Sequence, residues 1–298
     1  MFHKYKGYIV TILSACLFGL SPLWVNIFSS GGGNSMLLTF FRNLLFLPFC
    51  AIALKKSGQP VFQKVTRQMS RKITILSVIG AGLTQILLFS SYRYMASGIC
   101  TTVHFIYPLF VFLMGAVFFG QRLTRRAVIC LAICLSGLAC FYPRGQQISL
   151  KGLIIALISG ITYAFYMIYL DKGGFEGIST LRLQFYMSAI NSIMMFIYCA
   201  ATGNFTLNLS VPAWVLGFAA SQILGIAVIL CQIGVKEIGA PKAALLSTFE
   251  PITSLIVGIL FLHERLDAIA AIGALIILFS VFLFNMPQKT APALIHHD

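Results

Sequence analysis

Acidic side chains are scarce in this sequence: seven Asp and Glu among 298 residues, against 21 Lys and Arg. That scarcity leaves Glu250 as the only clear acid within the apolar stretches, too few to pair for general acid–base work. Charge of either sign is also low, at 9% of the residues, with 59% hydrophobic and a mean hydropathy of +0.92. A soluble domain carries about 25% charged residues, because its surface must be covered with something polar. Cysteine is present, at eight positions, but no two form a CxxC pair and no zinc-type spacing occurs. Small apolar packing residues is the reading they fit, and no metal or other cofactor is expected. The chain also has no G-x-x-x-x-G-K-[ST] loop, which excludes ATP-driven pumping by the chain itself. It has no G-x-S-x-G elbow and no GxGD pair, and HERLD at 263–267 departs from HExxH because Asp267 stands fifth. An enzyme is not expected.

What the chain does have is apolar runs of membrane-crossing length. Ten are expected, near 7–29, 36–54, 73–92, 98–119, 127–143, 152–170, 183–201, 213–234, 243–262 and 268–286. Their connections are short apart from 55–72, and none has room for a soluble domain. The fold class is therefore an all-α membrane protein. The segment after MFHKYK is of full spanning length and lacks a small-x-small cleavage site, so it is expected to be the first membrane helix rather than a signal peptide.

The net charge of +14 is read by its placement. With the N-terminus in the cytoplasm, sixteen Lys and Arg fall on the cytoplasmic side and only Arg93, Arg144, Lys151 and Arg265 on the other, while Arg42 lies within the second run. This positive-inside asymmetry predicts that both termini are cytoplasmic. The most basic stretch, KKSGQPVFQKVTRQMSRK at 55–72, fits an anchor against anionic lipid headgroups. Nucleic acid is not an expected partner, because the charges sit on short loops without interleaved aromatics.

An internal repeat organises the runs. Residues 102–123, TVHFIYPLFVFLMGAVFFGQRL, align without a gap on 245–266, LLSTFEPITSLIVGILFLHERL. Pro108 meets Pro251, Gly115 meets Gly258, Phe118 meets Phe261, Arg122 meets Arg265 and Leu123 meets Leu266. The starts of the halves also correspond, KGYIV at 6–10 and KGLII at 151–155. An odd number of helices per half turns the second half upside down, giving ten transmembrane helices in two inverted five-helix repeats, the first at 1–145 and the second at 146–298. Inverted halves are the architecture by which many secondary transporters alternate access. A channel or a receptor has no need of that duplication.

These features resemble the drug/metabolite transporter superfamily, and within it the EamA-type ten-helix transporters. The likeness covers essentially the whole chain and rests on Glu250-Pro251 with Glu264-Arg265-Leu266, and on Pro108 with Gln121-Arg122-Leu123. The first half departs from the pattern at Gln121, where the family often has Glu, and carries Tyr107 where the second half has Glu250. The resemblance implies export of small metabolites, often amino acids, across the cytoplasmic (inner) membrane. It does not fix the substrate.

Several residues are candidates for contact with that substrate or with a coupling proton. Each proline removes an N–H and frees a carbonyl four residues earlier, at His104 for Pro108 and at Ser247 for Pro251. Kinks that only shape packing are an equal reading. Glu250 lies about 10 Å inside its helix at 1.5 Å per residue, and an acid there costs about +2.5 to +3.5 kcal/mol at the bilayer centre, so it should face protein or water. Its expected roles are contact with an amine, reversible protonation, or a structural hydrogen bond. Ser247, Glu250 and Ser254 share one face by their spacing. His104, with Thr101 and Tyr107 beside it, is the other deep ionisable group and can relay protons. Arg42 fits either a carboxylate clamp or, slightly better, a snorkel to the interface. Trp24, Tyr163 and Tyr166 are aromatic candidates for cavity walls or packing; Asn26, Gln85, Asn191 and Gln222 are polar residues without a distinguishing pattern. The expected partners are a small-molecule substrate, membrane lipid and protons. Among transporters, an amino-acid or metabolite carrier fits best, since a nucleotide-sugar exchanger needs several buried cations for phosphate; uncoupled diffusion and exchange remain open. The number of chains that assemble is not legible.

Overall fold

The computed structural model describes residues 2–95, 97–121, 124–140, 149–261 and 268–285. Among them every regular element is helical, and the helices string together into ten passes. Eight are long and apolar enough to cross a membrane: Tyr5–Ser30, Ser35–Lys56, Arg67–Ser91, Ile99–Phe119, Leu150–Lys172, Thr180–Ala201, Val211–Ile238 and Ala240–Phe261. The fifth pass, Arg125–Ala139, and the tenth, Ala268–Asn285, complete the series. The chain is an all-α membrane protein. A backbone in hydrocarbon must satisfy its own hydrogen bonds, which a helix does within one segment. The orphan N–H groups at the starts find side-chain acceptors. Asn34 Oδ1 accepts from the Leu37 N–H at 2.9 Å, and Thr66, Thr124, Ser149, Ser179 and Ser210 cap the third, fifth, sixth, seventh and eighth passes in the same way. The Thr66 cap explains why the third pass begins at Arg67, earlier than its apolar run.

Four passes are broken. The breaks fall at Leu20, at Leu45–Phe46, at Phe105–Ile106 and at Ser247–Thr248, each ahead of a helix with a proline in its first turn: Pro22, Pro48, Pro108 and Pro251. The third pass instead carries a π-helical stretch, Leu76–Gly82. The interrupted backbone is taken up by protein. Gln222 Nε2 donates to the Leu45 carbonyl at 3.0 Å, and the Ser247 carbonyl accepts the Glu250 N–H at 3.0 Å. The expectation that Pro251 leaves the Ser247 carbonyl free therefore does not hold, because the chain tightens into a turn there.

The two five-pass repeats are inverted, and the packing shows the pseudo-twofold contact by contact. Gly7 packs against Ile238, and its counterpart Gly152 against Met95, the counterpart of Ile238. Gly225 packs against the Phe46 ring, and Gly82 against Asn191. Between the fifth and tenth passes Gly137 meets the Gly273 carbonyl, while Ser280 Oγ donates to the Cys130 carbonyl at 2.6 Å. Each is the other's contact seen after rotation. The first pass packs on the eighth and ninth, and the sixth on the third and fourth. The Glu264-Arg265-Leu266 motif, with Arg122 and Leu123, lies outside the described residues.

The two ends differ. The end bearing Lys55, Lys56, Arg67, Lys172 and Lys236, here the basic end, holds much of the largest core cluster, in which Ala240, Ala244 and Leu245 pack with Tyr107, Val111 and Phe112. A smaller cluster around Phe28, Leu37, Phe41 and Met195 ties the first, second and seventh passes together toward the opposite end.

The close approaches carry a prediction. A Cβ on Gly225 would meet the Phe46 ring at 2.4 Å, whereas nothing lies within 4 Å of one on Gly177. Gly225→Val should cost about 1–3 kcal/mol and lower the melting temperature in detergent by several degrees, with Gly177→Ala unchanged; equal melting of the two would remove this contact from the account of the fold.

Candidate functional site

The breaks in the first, fourth and ninth passes border one cavity of about 490 Å³. That volume lies in the range of about 300–1,000 Å³ usual for small-molecule sites. The first pass supplies Phe18, Ser21, Pro22 and Val25 to its wall, the third Thr84, Gln85, Leu88, Phe89 and Tyr92, the fourth Ser97 to Tyr107 in part, and the ninth Glu250, Pro251, Ser254, Leu255 and Gly258. Arg42, Leu138 and Tyr163 close the circle. All come from the half of the molecule away from the basic end or from its middle, and Ser97 at the rim is exposed. The cavity opens toward that opposite end.

Two opposite charges line it. Arg42 comes from the second pass and Glu250 from the ninth, so each repeat supplies one. The two are near enough to feel one another electrostatically. Among the described residues, neither side chain makes an ion pair or a hydrogen bond. The arginine lines the cavity rather than snorkelling to the interface, because the packing of its helix against the seventh and eighth passes leaves the Arg42 flank facing inward. Unpaired charges held in such a setting are costly unless a ligand or water answers them.

The floor is aromatic. Tyr107 meets Tyr163 edge to face at 4.7 Å, His104 lies 5.5 Å from Tyr163, and Tyr166 stacks beneath Tyr163 at 5.7 Å. His104 Nδ1 is hydrogen-bonded to Ser159 Oγ at 2.9 Å, and the His104 carbonyl rests against Gly160. The opening after Phe105 thus faces the sixth pass, where the absence of a side chain on Gly160 makes room for it.

Of the residues singled out from the sequence, Glu250, His104, Tyr107, Arg42, Tyr163 and Pro251 line the cavity. Ser247 does not: its hydroxyl bonds to the Ala243 carbonyl at 2.9 Å, because the break at Ser247–Thr248 turns it off the face that carries Glu250 and Ser254. Tyr166 and Pro108 are buried behind the wall, and Trp24 packs in the second cluster. Sequence reasoning gave no role to Thr84, which bonds to Thr162 at 2.7 Å, or to Tyr92, which bonds to Thr101 at 3.1 Å. It had no pattern to distinguish Gln85, whose Oε1 is buried without a partner. Among the described residues no group of His, Cys, Asp and Glu is placed to hold a metal ion, and all eight cysteines are free.

At the basic end the core is closely packed. Ala240, Ala243 and Ala244 are each fully buried, and Asp171 Oδ2 caps their half-helix by accepting the Ala240 N–H at 3.0 Å. Lysine and arginine heads tie the neighbouring loops: Lys236 Nζ bonds to the Phe175 and Ile178 carbonyls at 3.2 Å, and Arg182 to the Pro60 carbonyl at 3.0 Å.

The chain belongs to the EamA-like transporter family, whose pattern it matches over residues 5–142 and 150–286. It is 26% identical over 271 residues to an uncharacterized transporter of Synechocystis, covering 87% of this chain and 82% of that one. With the uncharacterized inner membrane transporter YicL of Salmonella typhimurium it shares 24% over 297 residues, covering 95% and 96%. One solved crystal structure superposes with a TM-score of 0.80 at 16% identity, over 94% of this chain and 96% of that one, which extends the likeness to the fold. The protein is a membrane transporter by family.

Removing the partner of a buried group costs about 1–3 kcal/mol. Ser159→Ala, which strips His104 of its hydrogen bond, should therefore lower the melting temperature measurably; an unchanged melting curve would show that water or a rotated ring replaces the hydroxyl.

Proposed function

We propose that the chain is a secondary transporter of a small zwitterionic metabolite, an amino acid or a related compound, working by alternating access across the cytoplasmic membrane with protons coupled through Glu250 and His104. The observation that carries the reading is the pair Arg42 and Glu250, unpaired and of opposite sign, in one cavity between the repeats. A planar guanidinium donates two parallel hydrogen bonds to a carboxylate, and a carboxylate accepts hydrogen bonds from an ammonium group. The aromatic floor of Tyr107 and Tyr163 and the apolar wall of Leu88, Phe89 and Leu255 suit the carbon skeleton between and beyond those groups.

Alternating access is supported by the unequal surroundings of matched elements. Ser97–His104 and Ala240–Leu246 are counterparts in the two repeats, yet the first borders the open cavity and the second is sealed in the core. Exchange of those surroundings would close one end and open the other. The basic end and both termini face the cytoplasm in this reading, in keeping with the positive-inside bias. Export is the direction that the resemblance to EamA-type transporters implies.

The test is uptake of a panel of labelled amino acids and related metabolites into proteoliposomes, with and without an imposed pH gradient. Saturable transport stimulated by the gradient is expected. Arg42→Gln should reduce it by roughly 10–100-fold, the equivalent of a charge-assisted hydrogen bond of about 1.5–3 kcal/mol. Glu250→Gln should abolish the stimulation. Full rates and an unchanged gradient response in both variants would overturn the assignment of these groups.

A further inference from the structure

The pseudo-twofold gives several residues of the open cavity a counterpart toward the basic end. Ser21, Leu88 and Phe89 correspond to Tyr166, Cys231 and Gln232, and Arg42 corresponds to Met187. These counterparts are sealed: Gln232 is 0% exposed, Met187 2%, Cys231 3% and Tyr166 4%. Most of the surrounding plug is aliphatic, as at Ala240, Ala244, Leu245 and Val235. Two polar atoms on these counterparts lack partners. Gln232 Nε2 donates to Gln184 Oε1 at 2.8 Å, but Gln232 Oε1 accepts nothing. The Tyr166 hydroxyl comes close to Gln232 without reaching hydrogen-bond geometry and is also unpartnered. Each such atom is penalised in the closed arrangement, because burial has removed its water and supplied no partner. The cost is relieved wherever the plug parts and a solute or water reaches them.

We propose that Tyr166 and Gln232 form a second solute site, closed in this structure, that opens toward the basic end and receives the solute's amine when the chain switches. The proposal rests on the alternating-access reading above and adds the chemistry of the other half-cycle. An amide oxygen and a phenol answer N–H donors. The counterpart of Arg42 is Met187, so the second site has no guanidinium of its own for the solute's carboxylate. The two sites therefore hold one solute differently: by both charged groups at the open end, and by the amine at the other, with weaker binding.

Cys231, adjacent to Gln232, is a native reporter. The full chain in oriented proteoliposomes is treated with a membrane-impermeant maleimide on one face or the other, and the labelled cysteines are mapped by peptide mass spectrometry. Asp171→Asn weakens the cap on Ala240 and should raise Cys231 labelling, only from the basic end, while slowing the labelling of Ser97→Cys from the opposite end. A mixture of the standard amino acids should slow Cys231 labelling about fivefold, the equivalent of roughly one hydrogen bond, and Gln232→Leu should remove that protection. Cys50, 0% exposed in another cluster, should stay unlabelled and so exclude unfolding. Labelling of Cys231 from the same face as Ser97→Cys, or protection that survives Gln232→Leu, overturns the second site. Amino-acid protection of Ser97→Cys with Cys231 unreactive throughout overturns the second site and leaves the open cavity's assignment standing. Protection at neither position overturns both.

Discussion

Backbone hydrogen bonding in a solvent that offers none is the constraint on which the rest of this structure depends. It makes every pass helical, and it confines every interruption to places where protein or cavity meets the orphaned groups. Gln222 answers the Leu45 carbonyl, Glu250 answers that of Ser247, and Gly160 leaves room for that of His104. Interruptions admitted only inside the protein gather near its axis. The cavity follows from that gathering: three broken helices turned toward one another cannot fill the space between them.

Much of this was legible in the sequence, and the part that was not has identifiable reasons. Apolar runs report spans directly, because length and hydropathy decide insertion, and Pro108 with Pro251 reported the duplication. Glu250 stood out because a lone acid in oil must face something polar. The break at Leu20 was not foreseen, because the apolar run at 7–29 continues across Pro22 and hydropathy alone does not register a break. The direction of Arg42 depends on which flank of its helix the seventh and eighth passes occupy, and a single sequence does not carry that. Ser247 shares the face of Glu250 on an ideal helix and loses it when the chain turns between them. Gln85 and Thr84 sit just past a π-helical stretch, which shifts the register against an ideal 3.6-residue period.

The two ends are built from different chemistry although they descend from one pattern. At the open end, Ser21, Thr84, Gln85, Tyr92 and Thr101 make a wall that tolerates water. At the basic end the matched positions are mostly aliphatic and dry, and the loops around them are drawn in by cations bonded to carbonyls. Under the proposed alternating access, closure at the two ends would therefore not be one event run forward and backward: one end would shut by excluding water from apolar surface, the other by stripping water from hydroxyls and amides. The balance between the two proposed states would be set in part by that difference.

The sealed half-helix at Ala240–Leu246 has one further consequence. Its buried surface is made largely of alanine methyls, at Ala240, Ala243 and Ala244. Long side chains interlock as knobs and must ride over one another when helices shift. Methyl groups present a nearly smooth face, with few rotamers to rearrange. Under the proposed switching, a seal of this kind would combine a dry closed position with little friction against sliding.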